Sequence, residues 1–207
     1  MRTTVISNES FKNELLIQSK SDLADINWQT SVPVLNNSEC LIDLLFDESD
    51  ERIRLLSELK FDYLILNSVI STTNRLPENS TRINGWPSFL NRPLVEVATS
   101  TENLKPKIEE IFSRFSKKVE WVPDIPGFIS PRVISMIINE AYYTLEDGVA
   151  GKEEIDTAMK LGTRYPYGPF EWCKKIGVRN IFNLLEKLSA ENSRYTPSAL
   201  LKKEAFS

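Results

Sequence analysis

The residue types that most often carry acid–base and nucleophilic chemistry are sparse in this chain of 207 residues. There is no histidine, which excludes Ser-His-Asp and Cys-His catalysis, histidine-bound metals and proton transfer through an imidazole. The two cysteines, Cys40 and Cys173, are far apart, and neither lies in a Cys-x-x-Cys motif. They are typical of a reduced, cytoplasmic protein, and we expect no metal centre.

Glycine, on which phosphate-binding loops depend, is absent before Gly85. Neither a Gly-x-Gly-x-x-Gly turn nor a Gly-x-x-x-x-Gly-Lys loop can therefore lie in the preceding residues. The first apolar run, residues 3–7, is followed by Asn8 and Glu9, whose bulk and negative charge oppose the approach of a pyrophosphate. The carboxylates available for a ribose are Asp22, Asp25 and Asp43, and none has a glycine context.

The composition is that of an ordinary globular protein, with 41% hydrophobic and 26% charged residues. No segment approaches the ~18 consecutive apolar residues of a membrane helix, and no apolar signal block follows Met1. The net charge is −4 and no basic stripe is present. We therefore expect a cytoplasmic protein that binds neither a membrane nor nucleic acid.

Alternating strands and helices are predicted over residues 1–122. Apolar runs typical of strands occupy residues 3–7, 40–46, 61–69, 94–98 and 119–122. Helical spacing follows the acidic segment 47–51, interpreted as a solvated helix start, and recurs over residues 105–115. This alternation predicts a parallel sheet covered by helices. Residues 8–39 are polar and weakly periodic, with Trp28 and Pro33 among them, and no element is predicted there.

An all-helical region follows a boundary at residues 123–127, which contain two prolines and a glycine. Helices are predicted at residues 133–149, 152–161, 168–175, 178–190 and 197–205. Gly162 and Gly177 are predicted to end the second and third helices. Thr196 is predicted to cap the last helix, with Pro197 as its first residue. The predicted domains are an α/β domain over residues 1–122 and an all-α domain over residues 123–207.

Five short motifs in the second domain occur together and in a recognisable order. They are DIPGFI (124–129) with Arg132, NEA (139–141), EDGVA (146–150), DTAM (156–159) with Gly162, and PYGPFE (166–171). This set resembles the C-terminal domain of the 3-hydroxyacyl-CoA dehydrogenases. The resemblance extends back more weakly over residues 40–122, and no match is found before residue 40. It implies a shortened Rossmann-like domain followed by the helical domain through which such dehydrogenases dimerise.

The resemblance also implies where the family's site residues fall. In the family a histidine, oriented by a glutamate, accepts the proton of a 3-hydroxyacyl-CoA while hydride passes to NAD, and a serine and an asparagine hold the substrate oxygen. Glu96 matches the glutamate, but the histidine position falls on Asn84, whose amide cannot accept a proton at neutral pH. The serine position falls beside Ser68, and the asparagine position falls on Pro131.

Each candidate residue has a structural interpretation as well as a functional one. Glu96, the one retained catalytic position, would otherwise be a hydrogen-bonded structural carboxylate. Trp86 would stack on a flat group such as adenine, or would instead fill the core. The candidate site is therefore Glu96 with the binding residues Ser68, Asn84 and Trp86.

The sequence favours a diverged 3-hydroxyacyl-CoA dehydrogenase homologue, a pseudoenzyme without ordinary NAD-dependent catalysis that binds an acyl-CoA-like ligand or a partner. No cofactor is expected. One alternative is a divergent oxidoreductase of fatty-acid metabolism with a non-standard site, which alone would use NAD. Another is a structural dimer, or a subunit of an active paralogue. The resemblance implies a homodimer, with the apolar stripe of residues 133–149 serving as core and interface.

Overall fold

The computed structural model describes residues 1–19, 23–32 and 39–207. The chain forms two compact units, Met1–Phe128 and Ile129–Ser207. The division lies a few residues beyond the boundary drawn from the sequence at residue 122, so the Pro-Gly segment belongs to the first unit. Within the described ranges, no helix is both long and apolar enough to cross a bilayer.

The first unit is built on a mixed sheet, which in its described residues has the strand order β2-β1-β3-β4-β5-β6-β7. Every neighbouring pair is parallel except β5 and β6, which run antiparallel. The elements are β1 (Thr3–Ile6), α1 (Glu9–Leu16), β2 (Ile26–Gln29), β3 (Cys40–Asp43), α2 (Asp50–Ser57), β4 (Tyr63–Asn67), β5 (Ser80–Ile83), β6 (Leu94–Thr99), α3 (Lys105–Arg114) and β7 (Lys118–Trp121). The predicted Rossmann-like architecture is confirmed as a mostly parallel sheet.

The central strands are apolar throughout because both faces of the sheet are covered. Successive side chains of a strand point to opposite faces. Val5 and Ile42 accordingly belong to one buried cluster, together with Phe112 of α3. Ile6 and Leu41 belong to a second buried cluster, together with Leu56 of α2. Continuous apolar runs such as residues 40–46 are therefore typical of doubly covered strands.

The N-terminal segment contains a helix and a strand between residues 8 and 39, where the sequence predicted no element. A complete βαβ unit is formed there by β1, α1 and β2, with β1 and β2 in parallel register. The helix begins after Asn8, whose side-chain oxygen accepts the Phe11 N–H at 2.9 Å. Pro33 lies outside the described residues. The strand β5 was also not predicted, because its sequence, Ser-Thr-Arg-Ile, has only one apolar residue.

The second unit contains the five predicted helices. They are α4 (Ser130–Glu146), α5 (Lys152–Thr163), α6 (Pro169–Ile176), α7 (Val178–Ser189) and α8 (Ala199–Ala205). Their core includes Ile138 and Tyr142 of α4 and Ile181 and Leu185 of α7, all nearly inaccessible to solvent. Gly177 ends α6 with a φ of 97°, as predicted for a residue that terminates a helix.

Two predicted helix ends are wrong. Gly162 lies inside α5, which continues to Thr163, and Arg164 adopts the left-handed conformation with a φ of 56°. The last helix is capped by Ser198, whose hydroxyl accepts the Leu201 N–H at 3.1 Å, and not by Thr196 with Pro197. The Asn139 side chain fixes the start of this helix at Ser198. Its Nδ2 donates to the carbonyl oxygen of Thr196 and its Oδ1 accepts the Ser198 N–H, both at 2.9 Å.

Candidate functional site

Glu96 and Asn84 face each other across the antiparallel pair of strands β6 and β5. The Asn84 N–H donates to the carbonyl oxygen of Glu96 at 3.0 Å, and the Asn84 Nδ2 donates to Glu96 Oε2 at 3.3 Å. Both side chains are buried. The Trp86 N–H donates to Asn84 Oδ1 at 3.4 Å, so the amide is oriented from both sides. The structure therefore brings together three of the four candidate residues.

This pair differs chemically from a base and its orienting carboxylate. The amide nitrogen of Asn84 has two hydrogens, of which one is directed to Glu96. The amide does not take up a proton at neutral pH. Burial lowers the pKa of nearby Arg92, and the negative charge of Glu96 opposes that shift. Glu96 therefore accepts a hydrogen bond from an amide and interacts electrostatically with a guanidinium.

The segment that carries Asn84 and Trp86 is held by two charged side chains from elsewhere in the first unit. Both carboxylate oxygens of Glu14, on α1, lie 2.9 Å from the Ser88 nitrogen and accept its N–H. The Lys117 Nζ is buried and donates to the carbonyl oxygens of Leu90 and Arg92. Burial lowers the pKa of Lys117 to about 8. Trp86 itself is only 6% exposed, so its ring is packed inside the protein.

Asn67, at the end of β4, explains the glycine at position 85. Its Nδ2 donates to the carbonyl oxygens of Leu44 and Gly85 at 3.1 and 3.0 Å, and its Oδ1 accepts the Gly85 N–H at 2.9 Å. A Cβ atom on Gly85 would lie 2.7 Å from the Cγ of Asn67. The close approach therefore leaves space for glycine alone.

Ser68, the fourth candidate, belongs to a different hydrogen-bond network. Its hydroxyl is fully buried and donates to Glu48 Oε1 at 2.8 Å. The Glu48 carboxylate also accepts the Ile70 N–H and both the N–H and the hydroxyl of Ser71. The predicted helix start is present, because Ser49 caps α2, and Asp47, Asp50 and Glu51 are exposed. Glu48, with a φ of 59°, instead turns its carboxylate towards this loop. Sequence reasoning missed this role of Glu48.

Arg82 connects the Ser68 loop with the DIPGFI motif. Its guanidinium is buried, pairs with Asp124 and donates to the carbonyl oxygens of Ser68 and Ser71 at 3.2 and 3.1 Å. Its Cζ lies 4.4 Å from the centroid of the Phe128 ring. Burial lowers the pKa of Arg82, and the charge of Asp124 opposes that shift. The motif residue Asp124 is therefore the counter-ion of a buried cation.

A cleft of about 440 Å³ lies at the carboxyl ends of β1 and β2. It is lined by Ser7, Glu9, Lys12, Trp28, Gln29, Thr30 and Ser31. The Lys12 Nζ lies 5.1 Å from the centroid of the Trp28 ring. In open α/β sheets, ligands bind in the crevice at this edge.

Two of the three carboxylates considered for a ribose, Asp25 and Asp43, are paired with arginines. Asp25 pairs with Arg114 at 2.5 Å, and Asp43 pairs with Arg52 at 2.7 Å. Asp43 is fully buried, and this burial raises its pKa although the charge of Arg52 opposes the shift. Asp22 lies outside the described residues. In the described part of the chain, no group of three or more Cys, Asp and Glu side chains could hold a metal ion.

In the second unit, Asp156 explains two of the short motifs. Its carboxylate accepts the Phe170 N–H at 2.8 Å and the Glu171 N–H at 3.1 Å. Both amides belong to the first turn of α6, where N–H groups have no acceptor within the helix. A Cβ atom on Gly168 would lie 2.3 Å from the Cγ of Asp156. The DTAM and PYGPFE motifs therefore form a single helix-capping contact. Pro131, at the start of α4, is buried and offers neither an amide nor an N–H.

The chain combines a mostly parallel, Rossmann-like sheet unit with a unit of five helices. The sequence model described as "3-hydroxyacyl-CoA dehydrogenase, C-terminal domain" matches residues 127–205. The chain is 34% identical to 3-hydroxybutyryl-CoA dehydrogenase of Clostridioides difficile over 190 residues, which are 88% of this chain and 66% of the relative. The chain belongs to the 3-hydroxyacyl-CoA dehydrogenase family.

Two further comparisons give a sequence match to part of the chain and a structural match to nearly all of it. The 3-hydroxyadipyl-CoA dehydrogenase of Escherichia coli K12 is 45% identical over 92 residues, or 44% of this chain and 19% of the relative. The crystal structure of (S)-3-hydroxybutyryl-CoA dehydrogenase from Ralstonia eutropha has the same fold, with a TM-score of 0.76 at 20% identity over 98% of this chain and 93% of that one. The chain thus spans less than two thirds of the length of these two sequence relatives.

Proposed function

We propose that this chain is a diverged 3-hydroxyacyl-CoA dehydrogenase homologue that binds an acyl-CoA-like ligand without ordinary NAD-dependent catalysis. The observation that carries the proposal is the hydrogen bond between Asn84 Nδ2 and Glu96 Oε2. At this place in the sequence, the resemblance implies a histidine as general base. An amide in the same position donates a hydrogen bond to a ligand oxygen but does not remove a proton. The site retained by the fold would therefore be a binding site.

The residues at the β1–α1 turn support the absence of an ordinary dinucleotide site. A pyrophosphate needs free N–H groups at the helix N-terminus and a turn without bulky side chains. Here the Phe11 N–H is already bound by Asn8, and Glu9 places a carboxylate in the cleft. These residues do not fit a pyrophosphate.

Calorimetry with acetoacetyl-CoA and with NADH tests the proposal. We expect saturable heat with acetoacetyl-CoA, none with NADH, and no oxidation of NADH when both are present. Asn84→Ala should weaken acyl-CoA binding, because it removes the donor that Glu96 orients. Asn183→Ala, at an exposed position of α7, is the matched control. A flat titration with acetoacetyl-CoA would reject the binding function.

The βαβ unit formed by β1, α1 and β2 favours a second candidate, a divergent 3-hydroxyacyl-CoA dehydrogenase with a non-standard site. Its strands are in parallel register and carry a cleft at their carboxyl ends. Such an enzyme would act in fatty-acid metabolism and would need a different proton acceptor. Oxidation of NADH by acetoacetyl-CoA, abolished by Trp28→Ala in the cleft, would favour it over the binding function.

A homodimer through the helical unit is the partner arrangement that we propose. Val133 and Ile129, at the start of α4, are 55% and 54% exposed. Val133 also lines an open groove of about 340 Å³ with Met136, Ile137 and Tyr195. Burial of such apolar surface favours association. In sedimentation at micromolar concentration, the wild-type protein should be a dimer and Val133→Lys should be a monomer. A monomeric wild-type protein would contradict the homodimer and favour the alternative, a subunit that pairs with an active paralogue.

The proposed location is the cytoplasm. Cys40 and Cys173 are both free and buried, and neither has a disulfide partner. Burial raises the pKa of Cys40 to about 12 and that of Cys173 to about 11, which keeps both thiols protonated and unreactive at neutral pH. Unpaired thiols support a reducing compartment. A fluorescent fusion of the full chain would test this location.

A further inference from the structure

The helical unit contains a cavity of about 840 Å³ that none of the candidate site residues lines. Tyr142 and Phe170 lie side by side in its wall, with ring centroids 5.0 Å apart and planes at 68°. Glu204 of α8 lines the same cavity. The cavity therefore combines two aromatic rings with a carboxylate.

A cation of the chain already occupies this arrangement. The Lys152 Nζ lies 5.4 Å from the Tyr142 ring centroid and 5.2 Å from the Phe170 ring centroid. The same atom donates to Glu204 Oε1 at 2.6 Å. Aromatic rings with a nearby carboxylate are the groups that recognise organic ammonium ions in proteins. Lys152 thus shows where an ammonium group is stabilised.

Glu204 is held in place by a second hydrogen bond that does not involve Lys152. The Tyr142 hydroxyl donates to Glu204 Oε2 at 2.7 Å. Burial acts to raise the pKa of Glu204, but the hydrogen bonds from Lys152 and Tyr142 bring it below its ordinary value. The carboxylate is therefore charged at neutral pH, and one oxygen stays oriented towards the cavity if Lys152 leaves.

Lys152 is able to leave without disrupting its helix. It is the first residue of α5, and its side chain is 42% exposed. The N-terminus of α5 is capped separately, because the Gly151 N–H donates to Glu154 Oε2 at 2.8 Å. A flexible four-carbon stem lets the ammonium group move into solvent.

The other charged residues of the cavity favour a cation over an anion. The lining carboxylates are Glu153, Asp156, Glu171 and Glu204, and the lining lysines are Lys152, Lys160 and Lys174. Lys160 is paired with Glu171 at 2.5 Å. An anionic ligand would have to separate these pairs and then lie beside the remaining carboxylates.

We propose that this cavity is a binding site for a small organic ammonium ion, with Lys152 as an internal competitor that moves out when the ligand enters. The proposal is independent of acyl-CoA binding, because it involves no residue of the Asn84–Glu96 site. A tethered group competes at an effective concentration in the millimolar range or above. The wild-type protein should accordingly bind a simple ammonium ion weakly, and removal of Lys152 should expose the full affinity.

Titration with n-butylammonium, followed by NMR on the full chain, tests the proposal. We expect Lys152→Ala to bind this ion on the order of tenfold more tightly than wild type, with shifts at Tyr142 and Phe170. Lys187→Ala, on α7, is the matched control and should keep the wild-type affinity. Neutral n-butanol should not compete.

Two results would overturn the ammonium site. One is an affinity for n-butylammonium in Lys152→Ala no higher than in wild type. The other is equal binding of n-butanol, which would make the cavity merely apolar. Glu204→Gln in the Lys152→Ala background should abolish binding. Thermal unfolding confirms that each variant is folded before titration, and Lys152→Met, which keeps the aliphatic stem, replaces Lys152→Ala if the latter is unfolded.

Discussion

Replacing Asp156 by alanine should destabilise the helical unit by removing both acceptors at the start of α6. Pro169 has no N–H, so the Phe170 and Glu171 amides are the first donors of this helix, and Asp156 accepts both, at 2.8 and 3.1 Å. A hydrogen bond to a charged group contributes about 1.5–3 kcal/mol. The loss of an N-terminal cap costs about 1 kcal/mol. We therefore expect a loss of roughly 3 kcal/mol in the free energy of unfolding.

Urea unfolding followed by circular dichroism measures this loss through the shift of the midpoint at constant slope. Asp156→Asn keeps one acceptor oxygen, so about half of the destabilisation is expected. Glu153→Ala is the matched control, because this exposed carboxylate lies on the same helix and should change the free energy of unfolding by less than about 0.5 kcal/mol. If Asp156→Ala were as stable as this control, the two hydrogen bonds would not hold the helix start and the capping argument would be refuted.

Three further predictions concern the first unit. Gly85→Ala should destabilise the protein by about 1–3 kcal/mol in thermal unfolding, because the new Cβ would collide with Asn67; an unchanged melting temperature would contradict the close approach. Glu48→Gln should lower stability by about 1–2 kcal/mol, because charge-assisted bonds to the Ser71 N–H and hydroxyl become neutral ones, and urea unfolding against Glu51→Gln measures it. The pKa of Lys117 is about 8 when folded and 10.5 ordinarily, so the unfolded chain binds more protons between these values and stability should rise with pH there, a rise that Lys117→Met should lack.

The helical unit was predictable because its signals are local. Apolar spacing placed α4 and α7, and a glycine with positive φ ended α6 at Gly177. The start of α8 was misplaced because Thr196 and Ser198 are both hydroxyl residues beside a proline. Ser198 is the cap because Asn139, which is distant in the sequence, hydrogen-bonds Thr196 and Ser198. Local sequence patterns do not predict such a long-range contact.

Asn84 became a candidate through the resemblance to the dehydrogenase family, which aligns it with the family's histidine position. The sequence did not predict the antiparallel pairing of β5 with β6, which makes Asn84 and Glu96 hydrogen-bonded partners. The environment of Ser68 was not predictable, because Glu48 reaches it only after the sheet has assembled. Polar strands such as β5 were missed for the same reason, since Arg82 is stabilised by partners from distant segments.

The buried guanidinium of Arg82 determines where the chain could be divided for separate expression. A fragment ending at residue 122 would lack the counter-ion Asp124 and the ring of Phe128, and would keep an unpaired positive charge in its interior. Leaving a buried charge without its partner costs about 3–5 kcal/mol, a large part of the stability of a small domain. A fragment for crystallisation or ligand screening should therefore extend to Phe128.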